Sequence, residues 1–153
     1  VLAINESQRE ILFRKVWRFF HGKLAGKKIA IWGAAFKAGT ASLENSVVHP
    51  LLHALWAQGC ITQVFDPLAS EALYAQYGAH PLLVIAKTAE EATQEADALV
   101  LVTAWDEFWS PDFGLLKRNL KQPVVFDGRN MYEPDFMAKQ GFRYFAIGRG
   151  ESI

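Results

Sequence analysis

The chain has 153 residues, the size of one domain, and is 51% hydrophobic and 21% charged, enough for a packed core and too apolar for disorder. Sixteen basic and 16 acidic residues cancel, which excludes the basic footprint of a nucleic-acid binder, and no apolar run approaches the roughly 18 residues that span a bilayer. The single cysteine, Cys60, excludes an internal disulfide framework and fits a reducing, cytoplasmic setting.

The opening "VLAINESQREILFRKVWRFF" has no signal-peptide pattern. It starts on Val rather than Met, so a piece of a longer protein is expected. Residues 3–21 predict an amphipathic helix, with Ile4, Ile11, Leu12, Val16, Phe19 and Phe20 recurring near helical spacing among Arg9, Lys15 and Arg18. So apolar a helix needs cover, from a neighbouring domain, a second subunit or its own sheet. Strands and helices then alternate. "KIAIW" (28–32), "ITQVF" (61–65), "LLVI" (82–85), "ALVLV" (98–102), "PVVF" (123–126) and "RYFAI" (143–147) read as strands. Residues 47–58, 70–78, 88–96, 111–120 and 133–141 read as helices. Pro50 belongs in the first turn of its helix, Gly78 stops the next, and Thr88 with Glu91 forms a capping-box pattern. The result is an α/β, three-layer Rossmann-like domain on a mostly parallel sheet, preceded by a long amphipathic helix.

Ligands of such a sheet sit outside the C-terminal ends of its strands. That rule selects Gly33–Ser46, Asp66-Pro67, Thr103–Phe108 and Asp127–Tyr132. Gly33 allows a tight turn, but Ala35 and Ala38 stand where a GxGxxG fingerprint needs glycines, so a standard pyrophosphate cradle is not expected. The loop runs some thirteen residues before a helix starts near Val47, and loops of that length often bind something. Lys37 is its one cation, either a ligand for an anion or a solvated lysine. Arg129, after Asp127-Gly128, offers a planar fork for phosphate or carboxylate at the same edge. Asp66 ends the second strand, where it holds a ribose hydroxyl or initiates a turn with Pro67. Trp105, Phe108 and Trp109 line a base or cover the core. Cys60 falls at the opposite, N-terminal edge and reads as a structural thiol. The four scattered histidines make no metal site, although His49 and His53 share a helical face.

The motifs "GKKIAIWGAAFKAGTASLENS", "GCITQVFDP", "ADALVLVTAWDEF", "PVVFDGRNMYEPDFM" and "GFRYFAIGRG" together resemble the C-terminal domain of the UDP-glucose/GDP-mannose dehydrogenase family. "INESQ" resembles part of the long helix that joins that family's two halves. The resemblance implies a helix end over 1–24 and a UDP-binding domain over 25–153. It implies an anchoring domain of an NAD-dependent enzyme that oxidises the C6 alcohol of a nucleotide sugar to a uronic acid, UDP-glucose to UDP-glucuronate first among the substrates. NAD and the catalytic cysteine then belong to a part absent from this chain, and the fragment alone is inactive. Phe36, Lys37 and Arg129 are implied as nucleotide-sugar contacts, with a homodimer formed through the preceding helix; Asp66 and Trp105, by their place at the same sheet edge, are candidates to line a nucleotide pocket. Where the family reads T-D-D-x-R-x-S, this chain has Thr40-Ala41-Ser42-Leu43-Glu44-Asn45-Ser46. Glu44 replaces the arginine that the resemblance implies faces NAD, a charge reversal that leaves a second reading open: a non-catalytic nucleotide-binding or regulatory module.

Overall fold

The structure, a computed structural model, describes residues 2–149 and 153, with side chains described from residue 10 onward; Ile4 and Arg9 of the first predicted helix therefore lie outside the described side chains. Six strands form one sheet: β1 (Lys28–Trp32), β2 (Ile61–Phe65), β3 (Leu83–Ile85), β4 (Ala98–Leu101), β5 (Val124–Asp127) and β6 (Arg143–Ala146). Their order is β3-β2-β1-β4-β5-β6, and every pairing is parallel. The winding reverses between β1 and β4, the place where a doubly wound sheet opens a crevice at its C-terminal edge.

Strand periodicity divides the core into two layers. Ile29 and Ile31 of β1 pack with Val64, Val100, Val124, Phe126 and Phe145 on one face. Ala30 and Trp32 pack with Leu99, Leu101, Val125 and Tyr144 on the other. β1, β4 and β5 are buried on both faces over nearly their whole length, as their unbroken apolar runs require. The first face is covered by α1 (Leu2–Phe19), α2 (Val48–Ala57) and α3 (Ser70–Tyr77). α2 seals it with Leu51, Leu52 and Leu55, none of them exposed, each contributing about 2 kcal/mol of burial. The second face is covered by α4 (Ala89–Thr93), α5 (Phe113–Asn119) and α6 (Pro134–Lys139).

Local chemistry sets the ends of these helices. The Thr88 hydroxyl accepts from the Glu91 amide, and Asp112 accepts from the Leu115 amide. Pro134 opens α6. Three predicted helices are shorter than expected by three residues or more, among them the one expected over 133–141, which spans Pro134–Lys139. The one expected over 88–96 stops at Thr93, because Glu95 turns to a left-handed φ of 59° and its amide donates to the Asn119 carbonyl. The one expected over 111–120 starts only after its Asp112 cap. A short 3-10 turn over Asp106–Phe108, unsignalled in the sequence, buries Phe108 against Trp32 at a ring separation of 5.0 Å.

Over its described side chains, the first helix packs on its own sheet. Leu12, Val16 and Phe20 are buried in the first core layer, and Phe19 meets Phe126 and Phe145 edge-on. Trp17 stays exposed. Cys60, just before β2, is fully buried, with its thiol 3.4 Å from the Leu24 carbonyl. Burial, helped by the charge of Asp97 and opposed by that of Lys27, pushes this thiol up to about 11, which fits the structural role expected of it. No helix among the described residues is long and apolar enough to cross a membrane.

One glycine is required for the site that follows. Gly33 has φ +95°, and a Cβ there would lie 2.5 Å from Thr103 Cβ and 2.6 Å from its backbone nitrogen. Gly39 has a similar φ, +90°, but nothing within 4 Å. Gly33→Ala should therefore cost about 3 kcal/mol, from strain plus overpacking, against about 1 kcal/mol of strain for Gly39→Ala. Urea unfolding of the two variants measures the difference; equal losses would contradict the close approach.

Candidate functional site at the C-terminal edge of the sheet

Four loops meet at this edge, and two buried carboxylates organise them. The first is Asp66, at the end of β2 and 2% exposed. Its Oδ2 accepts from the amides of Ala34 (2.8 Å) and Ala35 (3.0 Å) and from the Trp105 indole N–H (3.0 Å). Its Oδ1 accepts from the amides of Leu68 and Ala69, both at 2.8 Å. A carboxylate offers about four lone-pair positions, so these donors leave no room for a ribose hydroxyl. Of the two roles open to Asp66, the turn is the one its hydrogen bonds display, and Trp105, half-buried, is oriented by the same carboxylate.

The carbonyls of the same dipeptide are also satisfied. Ser46 Oγ donates to the Ala34 carbonyl (2.6 Å) and accepts from the Val48 amide at the start of α2 (3.1 Å). Thr103 Oγ1 donates to the Ala35 carbonyl (2.7 Å). Every backbone polar group of Ala34 and Ala35 thus has a side-chain partner, as burial demands. The amides that would cradle a dinucleotide pyrophosphate in this fold hold the protein's own carboxylate instead. The residues of this crevice do not fit the pyrophosphate of NAD.

Pinned at its base, the loop carries its next residues outward. Phe36 is 50% exposed, and its amide donates to the Ser42 carbonyl, closing the loop on itself. Lys37 and Glu44 are exposed. Leu43 is the buried anchor of the far half; its carbonyl lies 2.7 Å from His49 Nε2, while His49 Nδ1 lies 2.6 Å from the Tyr77 hydroxyl. His53 meets the same tyrosine edge-on. The two histidines share a face, as their spacing predicts; His49 braces the loop through Leu43, and His53 packs on Tyr77. Among the described residues no group of three or more His, Cys, Asp or Glu side chains is placed to hold a metal.

The second carboxylate is Asp127, fully buried at the end of β5. Oδ1 accepts from the Arg129 amide (2.9 Å). Oδ2 accepts from the amides of Met131 (2.7 Å) and Tyr132 (3.1 Å) and from the Tyr144 hydroxyl (2.6 Å). Burial, then the Asp127 charge, holds the Tyr132 hydroxyl well above the usual phenol range; burial and the hydrogen bond to Asp127 do the same for Tyr144. Tyr132 in turn donates to the Phe108 carbonyl. Gly128 lets this loop touch the sheet: its amide donates to the Leu101 carbonyl, which an added Cβ would meet at 2.9 Å. Arg129 is exposed on a cleft lined with Leu12, Val47, Val102, Gly128 and Ile147.

The edge is electrostatically lopsided. On the α4 side Glu107 is held above the usual carboxylate range by burial and by the negative charges of Glu90 and Asp66. The cleft of Arg129 opens on the α1 and α2 side instead, where Leu12 and Val47 contribute its walls. Of the residues that line this cleft, Arg129 alone is charged. Sequence reading places Phe36, Lys37 and Arg129 at this edge but misses the apolar walls of the cleft, because Leu12 comes from a helix more than a hundred residues earlier. It also misses Asn130 and Arg149, which tie the β5 loop to the chain after β6; their only signal is their presence in "FDGRN" and "IGR".

Residues 30–134 match the UDP binding domain of the UDP-glucose/GDP-mannose dehydrogenase family. Among curated relatives, a UDP-glucose 6-dehydrogenase of Pseudomonas aeruginosa is 40% identical over 152 residues, covering 97% of this chain and 34% of the relative. That of Rhizobium meliloti is 38% identical, covering 97% and 33%. The chain thus spans about a third of the length of these relatives. Its fold superposes on a UDP-glucose dehydrogenase from Pyrobaculum islandicum with a TM-score of 0.76, at 22% identity over 96% of this chain and 30% of that one, a likeness of fold alone. An NDP-N-acetyl-D-galactosaminuronic acid dehydrogenase from Methanosarcina mazei Go1 gives 0.72, at 25% identity over 94% and 29%. With the sheet order, the retained motifs and this match over most of its length, the chain belongs to the UDP-glucose/GDP-mannose dehydrogenase family and carries its UDP binding domain.

Proposed function

We propose that this domain anchors the nucleotide of a UDP-sugar for an NAD-dependent 6-dehydrogenase, with UDP-glucose as the first candidate substrate and UDP-glucuronate as the product. The observation that carries the reading is the presentation of Lys37 and Arg129. Both cations are exposed on loops whose backbones are fixed by buried carboxylates, and Arg129 stands over a cleft with Leu12, Val47, Val102 and Ile147 in its walls. Phosphate oxygens take the charges, with Arg129 able to pair two-pronged, and Phe36 offers an apolar surface beside Lys37. Binding energy from the nucleotide then serves to hold the distant sugar carbon at a reacting centre elsewhere in the protein. That centre, with NAD and a nucleophilic cysteine, belongs to the part of the dehydrogenase beyond this domain; the one cysteine here is buried at the opposite edge of the sheet. The domain by itself anchors and does not catalyse. In this reading residues 1–24 are the end of a linking helix that also serves a homodimer, and the enzyme works in the cytoplasm.

A second reading rests on Glu44. The loop that follows Phe36 and Lys37 exposes a carboxylate where the family resemblance implies an arginine facing NAD. Like-charge repulsion with the cofactor phosphates weakens NAD binding, so the parent protein is either a dehydrogenase with altered cofactor contacts or a nucleotide-binding module without turnover.

Two measurements test these readings. In calorimetry of this chain with UDP, Arg129→Ala should weaken binding about tenfold or more, and Lys37→Ala by a smaller factor that fades at high salt; failure of the unsubstituted chain to bind UDP would defeat the anchoring role. In a dehydrogenase-length protein carrying this domain, Glu44→Arg should tighten NAD roughly threefold or more. An unchanged NAD affinity would remove Glu44 from the cofactor's neighbourhood.

A further inference from the structure

β5 and β6 remain paired as far as Asp127 and Ala146, then diverge. One residue past the end of β6, the backbone of Ile147 would be left without a ladder partner. The Asn130 side chain takes that place. Its Nδ2 donates to the Ile147 carbonyl (3.0 Å), and its Oδ1 accepts from the Ile147 amide (2.9 Å). A primary amide presents one donor and one acceptor side by side, so it adds a rung that the backbone cannot supply. Asn130 reaches this position through a left-handed φ of 53°, a conformation that asparagine tolerates better than most residues. From the other side, Arg149 Nη2 donates to the carbonyls of Asn130 (2.7 Å) and Tyr132 (2.9 Å).

Arg129 sits between two restraints. Its own amide is held by Asp127, while the residue after it is held by Ile147 and Arg149. Ile147 is also a wall of the cleft on which Arg129 opens. We propose that Asn130 and Arg149 form a latch between the β5 loop and the chain after β6, making them positioning residues for the Arg129 guanidinium and for the cleft wall at Ile147. This rests on the reading of Arg129 as the nucleotide anchor. Asn130 and Arg149 are both exposed. The hydrogen bonds of such groups add little to global stability, whereas the placement of a charged fork is sensitive to shifts of about 1 Å. The latch therefore serves recognition more than folding.

The test uses the 153-residue chain, UDP as the probe and a double-substitution cycle. Asn130→Gly keeps the backbone conformation and removes the rung; Arg149→Gln removes the charged fork. Each should weaken UDP about fivefold and speed amide exchange over residues 128–132, with little change in the thermal midpoint. In the Arg129→Ala background the same two substitutions should alter UDP affinity, read by NMR titration, by less than about twofold, because the group they position is gone. Equal losses in both backgrounds, or no loss in the parent chain, would overturn the latch. If Arg129→Ala binds UDP as tightly as the parent chain, the anchor reading fails and takes the latch with it. If Arg129→Ala weakens UDP but the latch substitutions do not, the latch alone fails. Should Asn130→Gly not fold, Arg149→Lys, which keeps the charge but loses the planar fork, carries the same cycle.

Discussion

Two buried carboxylates hold the working edge of this domain in shape. Asp66 closes β2 and Asp127 closes β5, and each spends its oxygen lone pairs on N–H groups of the loops around it and on one polar side chain, Trp105 for Asp66 and Tyr144 of β6 for Asp127. A carboxylate withdrawn from water is costly unless it is fully hydrogen-bonded. Once so bonded, it is a rigid, many-pronged fastener. Each aspartate turns a stretch that would otherwise be loose into a fixed platform, and both act at the one edge of a parallel sheet where strands end and ligands sit.

That arrangement decides what kind of recognition the edge can perform. In a dinucleotide-binding domain of this winding, backbone amides after β1 meet a pyrophosphate. Here the amides of Ala34 and Ala35 already have an anion, Asp66. In the proposed function, recognition therefore falls to side chains, the exposed Lys37, Arg129 and Phe36 that the pinned loops carry outward. The same logic explains why Gly33 is needed although the rest of the glycine fingerprint is absent: the close approach it permits is to Thr103, within the protein, not to a ligand. The cleft beneath Arg129 joins residues from α1, the turn before α2, and the ends of β4, β5 and β6, so the helix that precedes the sheet is structurally part of that cleft.

The sequence was most legible where periodicity and punctuation agree. All six strands and five following helices lie where apolar runs, glycines, prolines and caps place them, because a parallel sheet covered on both faces demands unbroken apolar strands. Helix ends were less legible: Glu95 adopts a left-handed φ that no local signal announces. The cover of the first helix was open in the sequence, since an apolar stripe says that something packs on it and not what; the burial of Val16 and Phe20 in the domain's own core resolves that for the residues described. Asp66 and Asp127 were legible as residues at strand ends, but their work was not. Asp66 reads as ligand contact or turn former, and only the geometry of the surrounding N–H groups distinguishes them; Asp127 carries no role in the sequence beyond its place before Gly128 and Arg129. The partnership of Asn130 with Ile147, seventeen positions apart, depends on strand pairing that one-dimensional reading does not reach.

The Pseudomonas aeruginosa relative, 40% identical over nearly the whole chain, makes UDP the natural probe of these loops. A crystal structure of this chain with UDP tests most directly whether the carboxylates keep the backbone closed to the ligand. The account predicts phosphates against the side chains of Lys37 and Arg129, with the Asp66 carboxylate still on the amides of Ala34 and Ala35. Phosphate oxygens bound to those two amides, with Asp66 displaced, would contradict it.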